Sequence, residues 1–201
     1  MKKNLLILAS VTTLLIGGIS SGHAEGKIAT IDLRKVFDGY WKTKEADSSL
    51  KDKAAEMEKE FKTLTEDYKK AKDEYVKLST LATDQAVASE ERDKRKKAAE
   101  AKLLEIRESE QTIDGFRRQS TTTLEEKKRM MRDKILAEIK NLVNARAKSG
   151  GYSLIMDTAA ESLNSTPVLV FSSGENDITD DVLKQLNASA PAGALKGEDA
   201  K

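Results

Sequence analysis

The sequence contains no cysteine, and it is poor in histidine, proline and aromatic residues. Its 201 residues include one histidine, two prolines and eleven glycines, and only 4% are aromatic. Without cysteine the chain has no disulfide, no thiol nucleophile and no sulfur on which a lipid anchor could be attached. A chain of this length with so few large apolar side chains has little material for a thick globular core.

An excess of charge of one sign is also missing. Lys and Arg together number 35 and Asp and Glu 34, which disfavours a strongly basic nucleic-acid-binding protein. The charge is unevenly distributed: residues 42–149 contain 27 basic and 23 acidic side chains, whereas residues 150–201 contain 3 and 8. The middle of the chain is therefore slightly cationic and its end anionic.

The first 24 residues have the pattern of an export signal. Lys2 and Lys3 precede a mostly apolar run over residues 5–19, and residues 22–24 place small residues where a signal peptidase requires them. The run is shorter than the roughly 20 apolar residues of a membrane span. We predict that residues 1–24 are a cleaved signal peptide, with an uncleaved N-terminal anchor as the alternative.

Cleavage after Ala24 would remove the only histidine, His23, from the chain. A mature chain without cysteine or histidine lacks an imidazole base and the usual ligands of zinc and haem. Ser–Lys dyads and paired carboxylates remain open as catalytic groups, but the sequence has neither a glycine-rich phosphate loop nor a G-x-S-x-G motif. We therefore expect no enzymatic activity, no cofactor and no metal site.

The middle of the chain has almost no residues that break helices. Between Gly39 and Gly150 there is no proline and a single glycine, Gly115, in a stretch rich in good helix formers. Apolar residues recur here in alternating steps of four and three, which is the spacing of a coiled-coil seam. The seam consists of Leu50, Ala54, Met57, Phe61, Leu64, Tyr68, Ala71, Tyr75, Leu78 and Ala82.

The seam stops near residues 81–89, where polar residues interrupt it. Ser89 followed by Glu90 and Glu91 is a favourable start for a new helix, with Ser89 as the N-cap. We predict that the chain reverses there and forms a hairpin. The alternative is one continuous helix of about 110 residues, roughly 165 Å long, but only the hairpin supplies the first seam with a partner in the same chain.

The returning half of the hairpin has a poorer seam. Glu110, Arg117 and Ser120 stand where apolar residues are expected, and Gly115 lies within this interruption. A glycine inside a helix costs about 1 kcal/mol relative to alanine, so it marks either a flexing point or a tolerated surface position. The apolar members of the seam are Ala99, Leu103, Ile106, Ile113, Leu124, Met131, Ile135, Ile139 and Leu142.

The segments on both sides of the hairpin favour short strands. Residues 27–33, 152–157 and 168–171 are rich in β-branched and apolar residues. Asp32 is expected to cap a brief helix that presents Val36 and Phe37, and Thr179 is expected to cap another helix. Residues 188–201 are rich in alanine, glycine and charge, and are predicted to be disordered.

These flanks define a body, residues 25–41 and 151–187, and the hairpin defines an arm, residues 42–150 with its tip near 81–89. Three short strands cannot bury a core alone, so we expect several copies to pool their strands. The fold class is mainly α with a small β body. The residues expected to form the shared body are Ile28, Ile31, Leu33, Phe37, Leu154, Ile155, Leu169, Phe171, Val182, Leu183 and Leu186.

Three segments together resemble the Skp/OmpH family of periplasmic chaperones. Residues 28–37 read IATIDLRKVF, residues 154–157 read LIMD and residues 177–186 read DITDDVLKQL. With the hairpin between them, the resemblance covers residues 27–187. It implies a homotrimer in which a small β-barrel body, built from strands of the subunits, carries three helical tentacles around a cavity.

The resemblance also implies a function and a location. Members of the family hold unfolded outer-membrane proteins in the periplasm without ATP and prevent their aggregation. Such holding needs no catalytic residue, since many weak contacts lower the free concentration of the client. The alternative is a structural coiled-coil spacer or scaffold of the cell envelope, which fits the helices but does not explain the strand-forming flanks.

Two basic clusters on the arm are candidates for client contact. Well-known members of the family are strongly basic, whereas this chain is near neutral, so contact with lipopolysaccharide or an anionic membrane surface stays open. A solvated helix face is the alternative interpretation of each cluster. The clusters are Arg92, Lys94, Arg95, Lys96 and Lys97 near the tip, and Lys127, Lys128, Arg129, Arg132 and Lys134 on the returning helix.

Overall fold

The structure is a computed structural model that describes residues 26–195. The predicted signal peptide and residues 196–201 of the predicted tail lie outside the described residues. The described chain is mainly helical, as the sequence predicts, and contains a small sheet of two strands in place of the three expected. Its elements are β1 (Lys27–Ile31), α1 (Leu33–Gly39), α2 (Trp41–Ala82), α3 (Ser89–Gly150), β2 (Tyr152–Asp157) and α4 (Thr179–Asn187).

The two strands lie side by side although the whole arm separates them in sequence. They pair in parallel, with Ile28 opposite Leu154 and Ala29 opposite Ile155. Because side chains alternate along a strand, one face of the sheet carries Ala29 and the other carries Ile28 and Leu154. Ala29 is buried, and so is Ile31 on the same face, whereas Ile28 and Leu154 are exposed.

The predicted third strand over residues 168–171 is wrong for the single chain. These residues form no strand, and the nearby pairing is limited to an isolated bridge between Glu161 and Pro167. In the described chain the segment pairs with neither edge of the sheet: the edge of β1 is bridged at Thr30 by Asp177, and the outer edge of β2 is left without a strand partner. Phe171, expected in a core shared by several copies, is 82% exposed in the single chain.

The arm consists of α2 and α3, joined by residues 83–88. Contacts between Lys42 and Glu138, between Tyr68 and Glu110 and between Glu74 and Lys102 show that the helices run antiparallel. Helix α3 continues through Gly115 and ends at Gly150. Its C-cap, Gly151, has a φ of 68°, the left-handed conformation that glycine adopts readily. Within residues 26–195 no helix is long and apolar enough to cross a membrane.

One hydrophobic core joins the body to the beginning and end of the arm. It contains side chains from β1, α1, α2, α3 and α4, and Leu33, Phe37, Trp41 and Tyr152 pack against it while remaining partly exposed. The proximal arm is therefore part of the body's core. The buried members are Ala29, Ile31, Val36, Tyr40, Ala46, Ile135, Ile139, Ile178, Val182 and Leu186.

The helix caps differ partly from those expected. Asp32 caps α1 as predicted, and its carboxylate accepts a hydrogen bond from the Lys35 amide at 2.7 Å. The predicted N-caps Ser89 and Thr179 are wrong, since each is the first residue inside its helix. The Thr179 hydroxyl instead accepts a hydrogen bond from the Asp32 backbone amide at 2.8 Å, which ties α4 to α1.

Candidate functional site

The root of the arm is a polar cluster between α2 and α3. The Tyr40 hydroxyl and the Lys42 ammonium both donate to Oε2 of Glu138, at 2.8 and 2.7 Å. The Lys42 ammonium also lies 5.7 Å from the centre of the Trp41 ring, within the range of a cation–π contact. The hydrogen bond from Lys42 is the main reason that the pKa of Glu138 lies below its ordinary value. The cluster holds the two helices together where they join the body.

We expect this cluster to make the root of the arm sensitive to acid. A carboxyl whose pKa is lowered by folding stabilises the fold above its unfolded pKa, and that stabilisation is lost as the pH falls through the folded value. Near pH 7 the wild type should therefore be more stable than Glu138→Gln, and the difference should shrink below about pH 4. Urea unfolding of both proteins between pH 7 and pH 3, at one protein concentration, measures this difference.

A matched control for this experiment is Glu126→Gln, which changes an exposed carboxylate on the same helix. Its stability difference from the wild type should be small at every pH. A Glu138→Gln difference that stays constant from pH 7 to pH 3 would contradict the assignment.

The seam of the arm is packed unevenly along its length. Ala71, Ala99 and Ile106 are buried, whereas the larger seam residues of α2, such as Phe61 and Tyr68, are half-buried. Glu110, which interrupts the apolar pattern, accepts a hydrogen bond from the Tyr68 hydroxyl at 2.7 Å. A polar contact thus replaces an apolar one at this level of the seam.

A gap opens between the two helices next to Gly115. It has a volume of about 270 Å³. Apolar side chains of both helices line it, together with Arg117 and Ser120, the polar residues that interrupt the α3 seam. No atom outside the helix's own backbone lies within 4 Å of a Cβ built on Gly115. The seam is therefore incompletely packed at this level; the lining of the gap includes Ala54, Met57, Phe61, Phe116, Ser120 and Leu124.

Several large apolar side chains of the arm face solvent, and the seam analysis did not single them out. Val76 follows the seam residue Tyr75 by one position, and Leu104 follows Leu103 in the same way. In an antiparallel pair of right-handed helices, positions displaced equally from the seam lie on the same face. Val76 and Leu104 therefore share one face of the arm; Leu81, Met130 and Leu136 are also exposed.

The tip cluster of basic residues is partly engaged within the chain. Arg95 contacts the Glu91 carboxylate at 3.1 Å and the Leu81 carbonyl oxygen at 3.4 Å, so it joins the two helices at the tip. Lys94 pairs with Glu90 at 3.7 Å. Lys96 and Lys97 are exposed and Arg92 is half-buried.

The second basic cluster lies about 50 Å further along α3, at 1.5 Å per residue. Lys127 donates to the Ser49 hydroxyl at 3.2 Å, and Arg132 contacts the neighbouring Asp133 at 3.0 Å. Lys128, Arg129 and Lys134 are exposed. The structure does not bring the two clusters together, so they are separate surfaces, and client contact at either of them stays a prediction.

The body presents an open apolar sheet face, which we define as Ile28, Leu154, Met156, Leu169 and Phe171. Ile28 and Leu154 are register partners, and Phe171 and Leu169 lie beside Ile28 and Met156 around a shallow cavity of about 250 Å³. Parallel sheets are normally covered on both faces. In the described chain Ile28 and Leu154 on this face remain about half exposed, and the outer edge of β2 has no strand partner.

A larger groove lies beside β2, between the sheet and α3. It has a volume of about 490 Å³. Its walls are mostly apolar and come from both the arm and the body, including Leu136, Val143, Ala147, Tyr152, Leu154 and Ile155. Among residues 26–195 no group of three or more carboxylates or histidines is placed to hold a metal ion.

These features define a helical-hairpin protein in which a long arm rises from a small body, and the exposed surfaces are apolar and basic. The family of outer membrane proteins described as OmpH-like matches residues 27–186. The chain is also 31% identical to the chaperone protein Skp of Blochmanniella pennsylvanica (strain BPEN), over 92% of this chain and 99% of that protein.

The chain therefore belongs to the OmpH-like family, which includes Skp. The family is periplasmic and is not enzymatic. The recognition made from the three sequence segments is thus confirmed, and so is the expectation that the chain is not an enzyme.

Proposed function

We propose that this protein is an ATP-independent holdase that binds unfolded outer-membrane proteins in the periplasm and prevents their aggregation. Membership of the family supports a chaperone of such proteins. The observation that carries the proposal is the combination of a loosely packed arm, with exposed Val76 and Leu104, and a body whose sheet is open on one apolar face. An unfolded β-barrel exposes apolar strands that aggregate. The exposed apolar side chains of the arm and the body can bind these strands reversibly and keep them from one another.

We further propose that the chain works as a homotrimer whose copies cover one another's open apolar sheet faces. A two-stranded sheet has marginal stability on its own. A face that exposes Ile28, Leu154 and Phe171 to solvent favours association with another apolar surface. Residues 168–171 supply apolar, strand-forming residues that a second chain could pair with. In this arrangement the strands form one closed body and the arms project around a shared cavity.

The charged side chains have a secondary role in this proposal. The exposed lysines and arginines of the two basic clusters carry long apolar stems with charged ends. The stems can lie against apolar surface of a client while the charged ends stay in water. The predicted signal peptide would direct export to the periplasm and would be cleaved after Ala24. An anionic membrane surface would meet the same basic clusters.

An aggregation assay tests the holdase proposal. An outer-membrane β-barrel protein is diluted from urea into buffer with the purified mature chain and without nucleotide, and light scattering is followed. We expect one assembly per client to suppress scattering and the addition of ATP to change nothing. A scaffold or spacer would leave the client to precipitate at the rate seen without the chain, and that result would refute the proposal.

A further inference from the structure

The direction in which α2 leaves the body depends on one residue. Helix α1 ends at Gly39 and α2 begins at Trp41, so Tyr40 is the only non-helical residue between them. Its backbone is extended, with φ −74° and ψ 128°. Since peptide groups are planar, the angle between the two helices is set by these two torsions.

The side chain of Asn187 binds the two peptide groups on either side of Tyr40. Its amide nitrogen donates to the Gly39 carbonyl oxygen at 2.9 Å, and its amide oxygen accepts from the Trp41 backbone amide at 3.0 Å. The first group belongs to the peptide before Tyr40 and the second to the peptide after it. One planar side-chain amide thus ties together the two planes whose relative rotation is the φ and ψ of Tyr40.

This contact also replaces a missing helix cap. Tyr40 occupies the N-cap position of α2 and makes no side-chain capping hydrogen bond. The Trp41 amide at the first position of the helix would otherwise lack an acceptor within the helix. Asn187, 146 residues away in sequence, supplies that acceptor.

We call Tyr40 and the two peptide groups beside it the elbow. Asn187 lies on a part of the body that has anchoring contacts of its own, apart from the elbow. It is the last residue of α4, which buries Val182 and Leu186 and is held to α1 through Thr179. A side chain of α4 also lies directly against the elbow: a Cβ on Gly39 would be 2.9 Å from a methyl carbon of Leu183. The helix therefore packs onto the elbow as well as bonding to it.

We propose that Asn187 is a positioning residue that fixes the direction of the arm by locking the Tyr40 backbone. Helix α2 is about 63 Å long at 1.5 Å per residue, so a freedom of about 10° at its root would move its far end by roughly 11 Å. The side chain of Asn187 would then narrow the range of arm directions that the shared core at the root still allows. This inference concerns the geometry of one chain and does not depend on the holdase or trimer proposals.

Distance measurements between spin labels test the proposal in the full chain. Because the chain has no cysteine, Glu60→Cys on α2 and Lys184→Cys on α4, both at exposed positions, provide two unique labelling sites. Labelled chains are mixed with an excess of unlabelled chains so that each measured pair lies in one molecule. We expect a narrow distribution with Asn187 present and a distribution about 5 Å broader in Asn187→Ala, since Glu60 is about 29 Å along α2.

Two further variants separate positioning from general loosening. Asn187→Asp keeps the acceptor for Trp41 but loses the donor for Gly39, so the width of its distance distribution should lie between those of the wild type and Asn187→Ala. If Asn187→Ala does not fold, Asn187→Asp takes its place in the comparison. Gln185→Ala changes an exposed residue of the same helix and should leave the distribution narrow. A second label pair, Glu60→Cys with Arg118→Cys on α3, should stay unchanged if the freedom arises at the elbow.

The outcome that overturns the proposal is a distribution in folded Asn187→Ala, or in Asn187→Asp if only that variant folds, equal to that of the wild type. Broadening of the same size in Gln185→Ala, or in the α2–α3 label pair, overturns it as well. A merely structural role for Asn187 would lower the unfolding midpoint and leave the distance distribution of the folded protein unchanged.

Discussion

Leu154→Glu is expected to abolish self-association and to leave each copy of the chain folded. Leu154 is 50% exposed and stands beside Ile28 in the open apolar sheet face. In the free chain a glutamate there can keep its charge in water. In an assembly that covers this face the charge would be buried without a partner, which costs far more than the apolar contact it replaces. Sedimentation at micromolar concentration should therefore give the mass of a trimer for the wild type and of a monomer for the variant.

The matched control is Leu104→Glu, which places the same charge at a leucine of similar exposure, 58%, on the arm. We expect this variant to keep the mass of the wild type, since no part of the proposed interface includes Leu104. Equal masses for wild type and Leu154→Glu would show that the open apolar sheet face is not the interface. A monomeric wild type would show more, namely that the self-association proposal itself is wrong.

The two leucine variants also bear on the holdase activity. If client holding needs a cavity bounded by several arms, Leu154→Glu should lose protection of the client together with its assembly. Leu104→Glu should retain its assembly, and any loss of protection in it would point to client contact on the arm. Measuring mass and light scattering on the same samples separates these two contributions.

The arm could be anticipated from the sequence because its signals are local. The alternation of steps of four and three from Leu50 to Ala82, and the absence of proline, need only neighbouring residues to act. The structure has α2 over Trp41–Ala82 and α3 starting at Ser89. The cap at Asp32 is local in the same sense, since its carboxylate bonds an amide three residues ahead.

The features that the sequence analysis missed are set by contacts between distant segments. Thr179 matches the capping pattern, but its hydroxyl is taken by the amide of Asp32, 147 residues away. In the sequence Glu138 is indistinguishable from other charged residues of the helix. Only the fold brings Tyr40 and Lys42 within hydrogen-bonding distance of it. Asn187 carries no local signal beyond its position at the end of an amphipathic helix. The periodicity of apolar residues along the chain contains no information about such contacts between distant residues.

Residues 168–171 show the opposite difficulty, since their local preference for a strand is strong and the single chain leaves it unsatisfied. A strand needs a partner edge with which to share hydrogen bonds. In the described chain residues 168–171 pair with neither β1 nor β2, and the outer edge of β2 stays unpaired. The apolar residues of this segment, and of the open apolar sheet face beside it, are those that an assembly would cover. The sequence pattern thus describes what the segment favours, and its neighbours decide whether that preference is met.

Ile139→Ala is expected to destabilise the body and the arm together. Ile139 is 1% exposed and lies in the core that α3 shares with β1, α1 and α4. Truncating a buried isoleucine to alanine costs about 2–5 kcal/mol, through lost burial and the cavity left behind. Urea unfolding at a fixed protein concentration, which an oligomer requires, should give a single transition at a clearly lower midpoint.

Leu136→Ala is the control for this substitution, because it removes a leucine one turn earlier on α3 that is already exposed. Its effect should stay within about 1 kcal/mol. Similar losses for the two variants would mean that the shared core does not hold the structure together. Ile135 and Ile139 of the arm lie in the same core as Ala29 and Val182 of the body, which predicts that arm and body unfold as one unit. Two separate transitions in Ile139→Ala would contradict this, because the arm would then be stable apart from the body.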